Sequence, residues 1–109
     1  MIAGLEARLA QLAASGQTIT YGALARDLGL TGPGRIARLT HGLEMLMERD
    51  AAAGAPLRAA LCSGRLNGDV PAAGFFDKAA ALGCNGLDDP AGFVTKERKR
   101  LFTLHNTCA

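Results

Sequence analysis

The segment that most constrains the fold is residues 18–39, which read TITYGALARDLGLTGPGRIARL. Thr20 is a typical helix N-cap, and apolar residues at helical spacing follow it. Gly29 matches the left-handed residue that ends many helices, and the TGPG of residues 31–34 predicts a turn before a new helix. Two helices joined by a tight turn that contains glycine form a helix-turn-helix, which we expect at about residues 20–50.

Helical spacing also predicts the elements on either side of this turn. A first helix is expected at about residues 2–14, ending near Gly16. The helix that follows the turn is expected to be long and to end between Arg49 and Ala52. Five apolar residues at helical spacing are expected to form its buried stripe: Ile36, Leu39, Leu43, Leu46 and Met47.

Residues 57–63, LRAALCS, are short, apolar and bounded by chain breakers, so we interpret them as a strand. Periodicity alone does not separate a short strand from a helix here. Asn67 and Gly68 then form a strong tight-turn signal. A strand, this turn and a short return would make a small β-ribbon, or wing, over about residues 57–70.

Two helices complete the pattern, within about residues 74–105. Asp89 and Pro90 predict the start of the second one, as its N-cap and its first helical residue. The predicted fold class is α+β and mostly helical: a winged helix-turn-helix with a small β-ribbon and additional C-terminal helices. The length of 109 residues favours a single domain, residues 1–109.

Composition narrows the classes of function. The net charge of +2 and the pI near 8.6 are mildly basic, whereas a dedicated electrostatic binder of nucleic acid usually has a pI above about 9. Three cysteines at irregular spacing predict neither a disulfide framework nor a metal site, and nothing indicates a cofactor. We expect no signal peptide and no membrane span, because no apolar run approaches about 18 residues, and therefore a cytoplasmic protein.

The residues ITYGALARDLG and GRIARL resemble the DNA-binding helix-turn-helix of alkylguanine-DNA alkyltransferases and of the non-enzymatic alkyltransferase-like proteins. Tyr21 and Arg35 fall at that family's tyrosine-to-arginine spacing without a gap. The resemblance implies that Tyr21 acts on a backbone phosphate beside the target nucleotide. It also implies that Arg35 enters the base stack through the minor groove and takes the place of an extruded base, which lowers the cost of extrusion.

The same resemblance implies that the chain is not an alkyltransferase. In those enzymes the alkyl group is accepted by the cysteine of a Pro-Cys-His-Arg motif. Leu57 stands at the place of that cysteine, and Arg58 stands at the place of the histidine. Cys62 lies five residues further on and is expected to point into the core. We predict no enzymatic activity, because a thiol needs a base or a positive neighbour to become a nucleophile.

A second resemblance covers about residues 17–83. The chain shares several features with a group of small bacterial proteins that carry a Thr-Tyr-Gly helix-turn-helix. These features are a Pro-Leu-x-x-Ala-Leu strand beginning at Pro56 and a Pro-x-x-Gly-Phe-Phe helix start at Pro71. This second resemblance implies a common fold and carries no expectation about function.

Together these observations predict a non-enzymatic protein that binds duplex DNA, either to sense damaged or extruded bases or to act as a small regulator. The expected DNA contacts are Tyr21, Arg35 and Arg38 in the helix-turn-helix and Arg65 in the wing. Arg35 would intercalate in a lesion sensor, whereas Arg35 and Arg38 would lie in the major groove in a regulator. Other interpretations stay open: Tyr21 could join two helices, and the arginines could be solvated.

The alternative function is that of a protein–protein interaction module, since winged-helix folds are widely reused for protein contacts. The long third helix, with Met45, Leu46 and Met47, could then pair with a second copy of the chain or with a protein partner. The modest net charge favours this alternative. If the protein binds DNA, the expected contacts should lie together on one positively charged face. If they do not, the interaction module is favoured.

Overall fold

Residues 2–64 and 70–106 are described by this computed structural model, residues 105 and 106 by their backbone alone. These residues form five α-helices and two short strands, so the chain is α+β and mostly helical, as predicted. In chain order the elements are α1 Leu5–Ser15, β1 Ile19–Thr20, α2 Tyr21–Asp27, α3 Arg35–Ala53, a 3₁₀ turn Arg58–Leu61, β2 Cys62–Ser63, α4 Ala73–Ala81 and α5 Pro90–Asn106.

The predicted helix-turn-helix segment consists of α2, α3 and the residues between them. The Thr20 hydroxyl accepts a hydrogen bond of 3.2 Å from the Ala23 N–H, so Thr20 is the N-cap of α2 as expected. Gly29 follows α2 in the left-handed conformation, at φ 75°, and Gly34 precedes α3 in the same conformation, at φ 77°. Two glycines without a Cβ therefore make the tight turn that separates the two helices.

The inward side of α3 organises the core. Four of its five predicted stripe residues are at most 3% exposed and pack with leucines of α1 and α2 and with residues of α5. Ile36 is the exception, because it was predicted to be buried and is 38% exposed. It lies in the first turn of α3, and the helix reaches the core only at Leu39.

The strand predicted for residues 57–63 is wrong over most of its length. Arg58–Leu61 forms a 3₁₀ turn, and only Cys62–Ser63 is extended. An apolar run without periodicity fits either structure, and here side chains satisfy the backbone polar groups in place of a neighbouring strand. Three hydrogen bonds do so: Leu57 N–H to Glu97 Oε1 at 3.2 Å, Arg58 N–H to Asp50 Oδ2 at 3.0 Å, and Arg98 Nε to the Ala60 carbonyl oxygen at 2.7 Å.

The two strands pair in parallel, and this pairing joins β2 to the segment that directly precedes α2. The sequence instead predicted that the strand would pair with a return strand after a tight turn. That turn and the wing tip, residues 65–69, lie outside the described residues. The Gly64 N–H donates to the Val70 carbonyl at 2.9 Å, so the two ends of this segment lie side by side.

Two C-terminal helices follow, as the sequence predicts. Pro90 is the first residue of α5, and the Asp89 carboxylate accepts a hydrogen bond of 3.2 Å from the Gly92 N–H. Phe75 and Phe76 of α4 meet edge to face, with ring centroids 5.2 Å apart. Among the described helices, none combines the length and the apolar composition that a bilayer-spanning helix needs.

Candidate nucleic-acid interface

Two adjoining grooves run over α2 and the start of α3. One has a volume of about 560 Å³ and the other of about 520 Å³. Gly22, Arg26 and Arg35 line both, so we treat them as one surface and call it the α2–α3 groove. The remaining lining residues come from α2 and its flanks and from the first turn of α3: Thr20, Tyr21, Ala23, Gly29, Leu30, Thr31, Gly32 and Ile36.

The sequence of α2 places Arg26 on this surface. Leu24 and Ala25 are fully buried, which fixes the inward side of the helix. Gly22 and Arg26 are four residues apart and therefore share the outward side. Arg35 reaches the same surface from α3, of which it is the first residue. The groove thus depends on the packing of α2 against α3 and not on either helix alone.

The two arginines give the α2–α3 groove a positive character. Arg26 and Arg35 are exposed, and within the described part of the chain neither guanidinium group makes a hydrogen bond or an ion pair. None of the lining residues is acidic, and Asp27, the neighbour of Arg26 in sequence, is paired with Arg8 of α1 at 3.2 Å. Two guanidinium groups with available donors therefore share one surface, an arrangement that suits phosphate oxygens.

Tyr21 is half-buried and lines the same groove. Its hydroxyl oxygen accepts a hydrogen bond of 3.1 Å from the N–H of Ala72, the residue before α4. Burial raises the pKa of Tyr21 to about 12, although this hydrogen bond acts in the opposite direction. The phenol stays protonated at neutral pH, and its O–H remains able to donate to an oxygen ligand. Tyr21 therefore joins two helices and also contributes to the groove.

The other two predicted contacts do not join this surface. Arg38 is absent from the lining of the groove, and its Nη2 donates a hydrogen bond of 2.7 Å to the Thr31 carbonyl. This bond holds the turn against α3. Arg65 lies outside the described residues. The fold thus brings Tyr21 and Arg35 together, while Arg38 is bonded to the turn that precedes its own helix.

Arg26 is the groove residue that the sequence interpretation did not include. It is an ordinary exposed arginine in the last turn of a short helix, and no local motif distinguishes it. Its separation of four residues from Gly22 places it on the polar side of α2. This spacing identifies Arg26 as a groove residue only if α2 is also expected to pack beside the start of α3.

The place that corresponds to the alkyl acceptor of the resembled family is closed. Leu57 is 2% exposed. The Arg58 guanidinium is bonded to Asp50 and to Glu6, both at 2.9 Å. Cys62 is fully buried, and burial raises its pKa to about 12. Its thiol is therefore protonated and inaccessible at neutral pH.

A small cavity lies beside the Tyr21 side chain, between α3 and α4. Its volume is about 20 Å³. A single water molecule needs roughly 10–15 Å³ of such space, so the cavity has room for a water molecule and not for a nucleobase. Its walls are well-packed side chains of the core and its edge: Tyr21, Thr40, Leu43, Glu44, Met47, Ala59 and Phe75.

The outward side of α3 carries only one of the three residues named for contact with a protein partner. Of the three residues named for that alternative, Leu46 and Met47 are 1% exposed and belong to the core, while Met45 is 38% exposed. A separate groove of about 660 Å³ lies between Gly54 and α5, and Lys99 is among its lining residues. It lies far from the α2–α3 groove, because the 19 residues of α3 span about 28 Å.

Comparison of the chain with protein-family profiles, with curated proteins and with solved structures gives no match. Within residues 2–64 and 70–104, no three His, Cys, Asp or Glu side chains lie close enough together to hold a metal ion. The geometry and charge of the α2–α3 groove are therefore the strongest observations that bear on function.

Proposed function

We propose that this protein is a non-enzymatic DNA-binding protein of alkyltransferase-like type, and that the α2–α3 groove is its interface with duplex DNA. The observation that carries the proposal is the convergence of Arg26 and Arg35 with Tyr21 on one surface that has no acidic lining residue. Duplex DNA carries one negative charge per about 1.7 Å of its axis. Several phosphates therefore lie within reach of an exposed pair of arginines.

Each groove residue has a distinct task in the proposed complex. Arg26 binds a backbone phosphate, because its planar guanidinium can donate two parallel hydrogen bonds to phosphate oxygens. Tyr21 donates a hydrogen bond from its hydroxyl group to a neighbouring phosphate oxygen. Its hydroxyl oxygen already accepts a hydrogen bond from the Ala72 N–H, which fixes the side chain, so little side-chain entropy is lost on binding. Arg35, at the start of α3, enters a groove of the duplex.

The winged-helix form is part of the same proposal. The Gly64 N–H donates a hydrogen bond of 2.9 Å to the Val70 carbonyl, so these two residues lie side by side directly after β2. A wing at this place would bring Arg65 to the DNA backbone or to the minor groove, as the sequence predicts.

Two buried residues support the non-enzymatic part of the proposal. Leu57 replaces the acceptor cysteine and is 2% exposed, and Cys62 is fully buried. The cavity of about 20 Å³ between α3 and α4 is too small for an extruded base, so a base could reach Tyr21 only from the open α2–α3 groove. We therefore favour binding to intact duplex, as expected of a small regulator, over the sensing of damaged bases.

Fluorescence anisotropy of a labelled duplex across a salt series tests this proposal. The logarithm of the affinity should fall linearly with the logarithm of salt concentration. Arg26→Ala removes a phosphate contact and should reduce the slope by about 1, while Arg35→Ala should weaken binding at every salt concentration. Lys99→Ala is the matched control, since it removes one positive charge from the groove beside Gly54. Tyr21→Phe should weaken binding, and an alkylated guanine in the duplex should leave the affinity unchanged.

Three results would count against parts of the proposal. An absence of binding by the wild type at low salt would refute DNA binding. Equal losses in Lys99→Ala and Arg35→Ala would show that overall charge and not the α2–α3 groove is responsible. Tighter binding to the alkylated duplex would favour the lesion sensor over the regulator.

A further inference from the structure

The groove beside Gly54 has no role in the proposed function. It lies between residues 54–56, which follow α3, and one side of α5. Its volume of about 660 Å³ falls within the range of about 300–1,000 Å³ that is usual for small-molecule sites. The groove is therefore large enough to hold a small organic ligand.

The exposed lining of this groove is mostly apolar. Ala55, Pro56 and Leu104 contribute apolar side chains to it. Leu104 is 54% exposed, which makes it the most exposed large apolar residue within residues 2–64 and 70–104. Apolar surface of this kind gains free energy when a ligand removes it from water. The groove therefore favours a ligand with an apolar body.

A single available cation lies beside this apolar lining. Lys99 is exposed, and its ammonium group makes no hydrogen bond or ion pair with the residues that the structure describes. Arg100 also lines the groove, but its guanidinium is paired with the Glu97 carboxylate at 2.9 Å. None of the described lining residues is acidic. Lys99 can therefore pair with one negative charge on a ligand.

The position of Lys99 determines where the charged end of such a ligand lies. Lys99 and Thr103 also line a neighbouring groove of about 520 Å³, in which Thr18 and Thr95 add two further hydroxyl groups. These two residues of α5 therefore stand at the boundary between an apolar surface and a polar one. The Thr103 hydroxyl can donate a hydrogen bond to an anionic oxygen at this boundary.

We propose that the groove beside Gly54 binds a small amphipathic carboxylate, such as a medium-chain fatty acid. Its apolar chain packs on Pro56 and Leu104, and its carboxylate lies between Lys99 and Thr103. A carboxylic acid is ionised at neutral pH, so the ammonium group attracts it. One available cation suits this single charge. The site lies at the opposite end of α3 from the α2–α3 groove and does not depend on DNA binding.

An NMR titration of the isotope-labelled full chain with octanoate, at concentrations at which it is monomeric, tests the inference. Octanol, which lacks the charge, and acetate, which lacks the apolar chain, are the comparison ligands. Lys99→Gln and Leu104→Ala test the two contacts. Their matched controls are Lys96→Gln, since Lys96 is exposed on α5 but does not line the groove, and Met45→Ala, since Met45 is an exposed apolar residue of α3.

Octanoate should shift the amide signals of Gly54 and Thr103 and leave those of Gly22 and Gly32, in the α2–α3 groove, in place. Acetate at the same concentration should shift none of them.

The variants should separate the two ends of the ligand. Leu104→Ala should weaken the binding of octanoate about tenfold, because less apolar surface is buried. Lys99→Gln should weaken it about threefold, as expected of a partly exposed ion pair, and should leave the binding of octanol unchanged. Lys96→Gln and Met45→Ala should bind octanoate as the wild type does.

Four results would overturn the inference. The first is an absence of shifts at Gly54 with octanoate. The second is a loss in Lys99→Gln that is as large for octanol as for octanoate, because the carboxylate is then not recognised. The third is an equal loss in Lys96→Gln, which would indicate overall charge. The fourth is binding to vesicles of anionic lipid without binding to octanoate, which would indicate a membrane surface instead.

Discussion

At the scale of single residues, the buried and the exposed charged side chains of α3 contribute differently to stability. Asp50 is 5% exposed, and its carboxylate accepts hydrogen bonds from the backbone N–H and the guanidinium of Arg58. Glu48, on the same helix, pairs with Lys78 at 2.9 Å, and its side chain is 55% exposed. Water screens the exposed Glu48–Lys78 pair much more than the buried Asp50–Arg58 pair. The two pairs therefore differ in their effect on stability, although both are 2.9 Å long.

We expect Asp50→Ala to lower the free energy of unfolding by about 2 kcal/mol or more, because it leaves the Arg58 N–H and guanidinium without their main acceptor. Glu48→Ala, the matched control, should cost less than about 1 kcal/mol. Urea denaturation of both variants and of the wild type measures the difference. Equal losses in the two variants would show that burial of the Asp50 pair is unimportant.

The pKa of Cys62 gives a prediction for alkaline pH. Burial raises this pKa from 9.0 to about 12 in the folded chain, so between these values the unfolded state loses the thiol proton and the folded state keeps it. The free energy of unfolding should therefore fall as the pH rises from about 9 towards 12. The Tyr21 phenol, raised from 10.0 to about 12, adds a loss of the same sign that begins one pH unit higher.

Denaturation series at pH 8 to about 10 should show this loss in the wild type and a flatter dependence in Cys62→Ala. Cys84→Ala is the comparison, because burial also raises the pKa of Cys84 but this thiol is only half-buried, so its removal should flatten the dependence less than Cys62→Ala does. A dependence that is equally steep in Cys62→Ala would mean that the thiol is ionised in the folded chain.

At the scale of elements, the sequence predicts the helices well, but it predicts less well which of their residues are buried and what structure the connecting segments have. The apolar stripe of α3 and the cap of α2 are local signals, and both predict the observed helices. Ile36 fits the stripe but lies beyond the core, because periodicity gives the side of a helix and not the point at which its neighbours begin. The 3₁₀ turn Arg58–Leu61 has no local signal, since Glu97 and Arg98, which bond its backbone, lie about 40 residues away.

A single substitution at Thr20 tests how much the N-cap of α2 contributes to stability. Thr20→Ala removes the acceptor of the Ala23 N–H, and we expect a loss of about 1 kcal/mol in the free energy of unfolding. Thr20→Ser keeps the hydroxyl and should lose much less. The measurement is urea denaturation of both variants, and a loss in Thr20→Ser as large as in Thr20→Ala would mean that the methyl group and not the cap matters.

At the scale of the whole molecule, the candidate site is a product of packing between helices. Tyr21 and Arg35 could be named from the sequence through the resemblance to alkyltransferase-like proteins. Arg26 could not, because it shares the groove only where α2 packs against the start of α3. Arg38 belongs to the same stretch of sequence but is bonded to the turn. The net charge of +2 likewise does not reveal that the lining of the α2–α3 groove contains no acidic residue.

The measurement that tests the central claim most directly is an NMR titration of the isotope-labelled chain with a duplex at low salt. We expect the amide signals that shift to belong to residues lining the α2–α3 groove, among them Gly22, Gly32 and Ile36. Signals at Gly54, at the other end of α3, should stay in place. Shifts confined to the groove beside Gly54, or no shifts at any duplex concentration, would contradict the claim that the α2–α3 groove binds DNA.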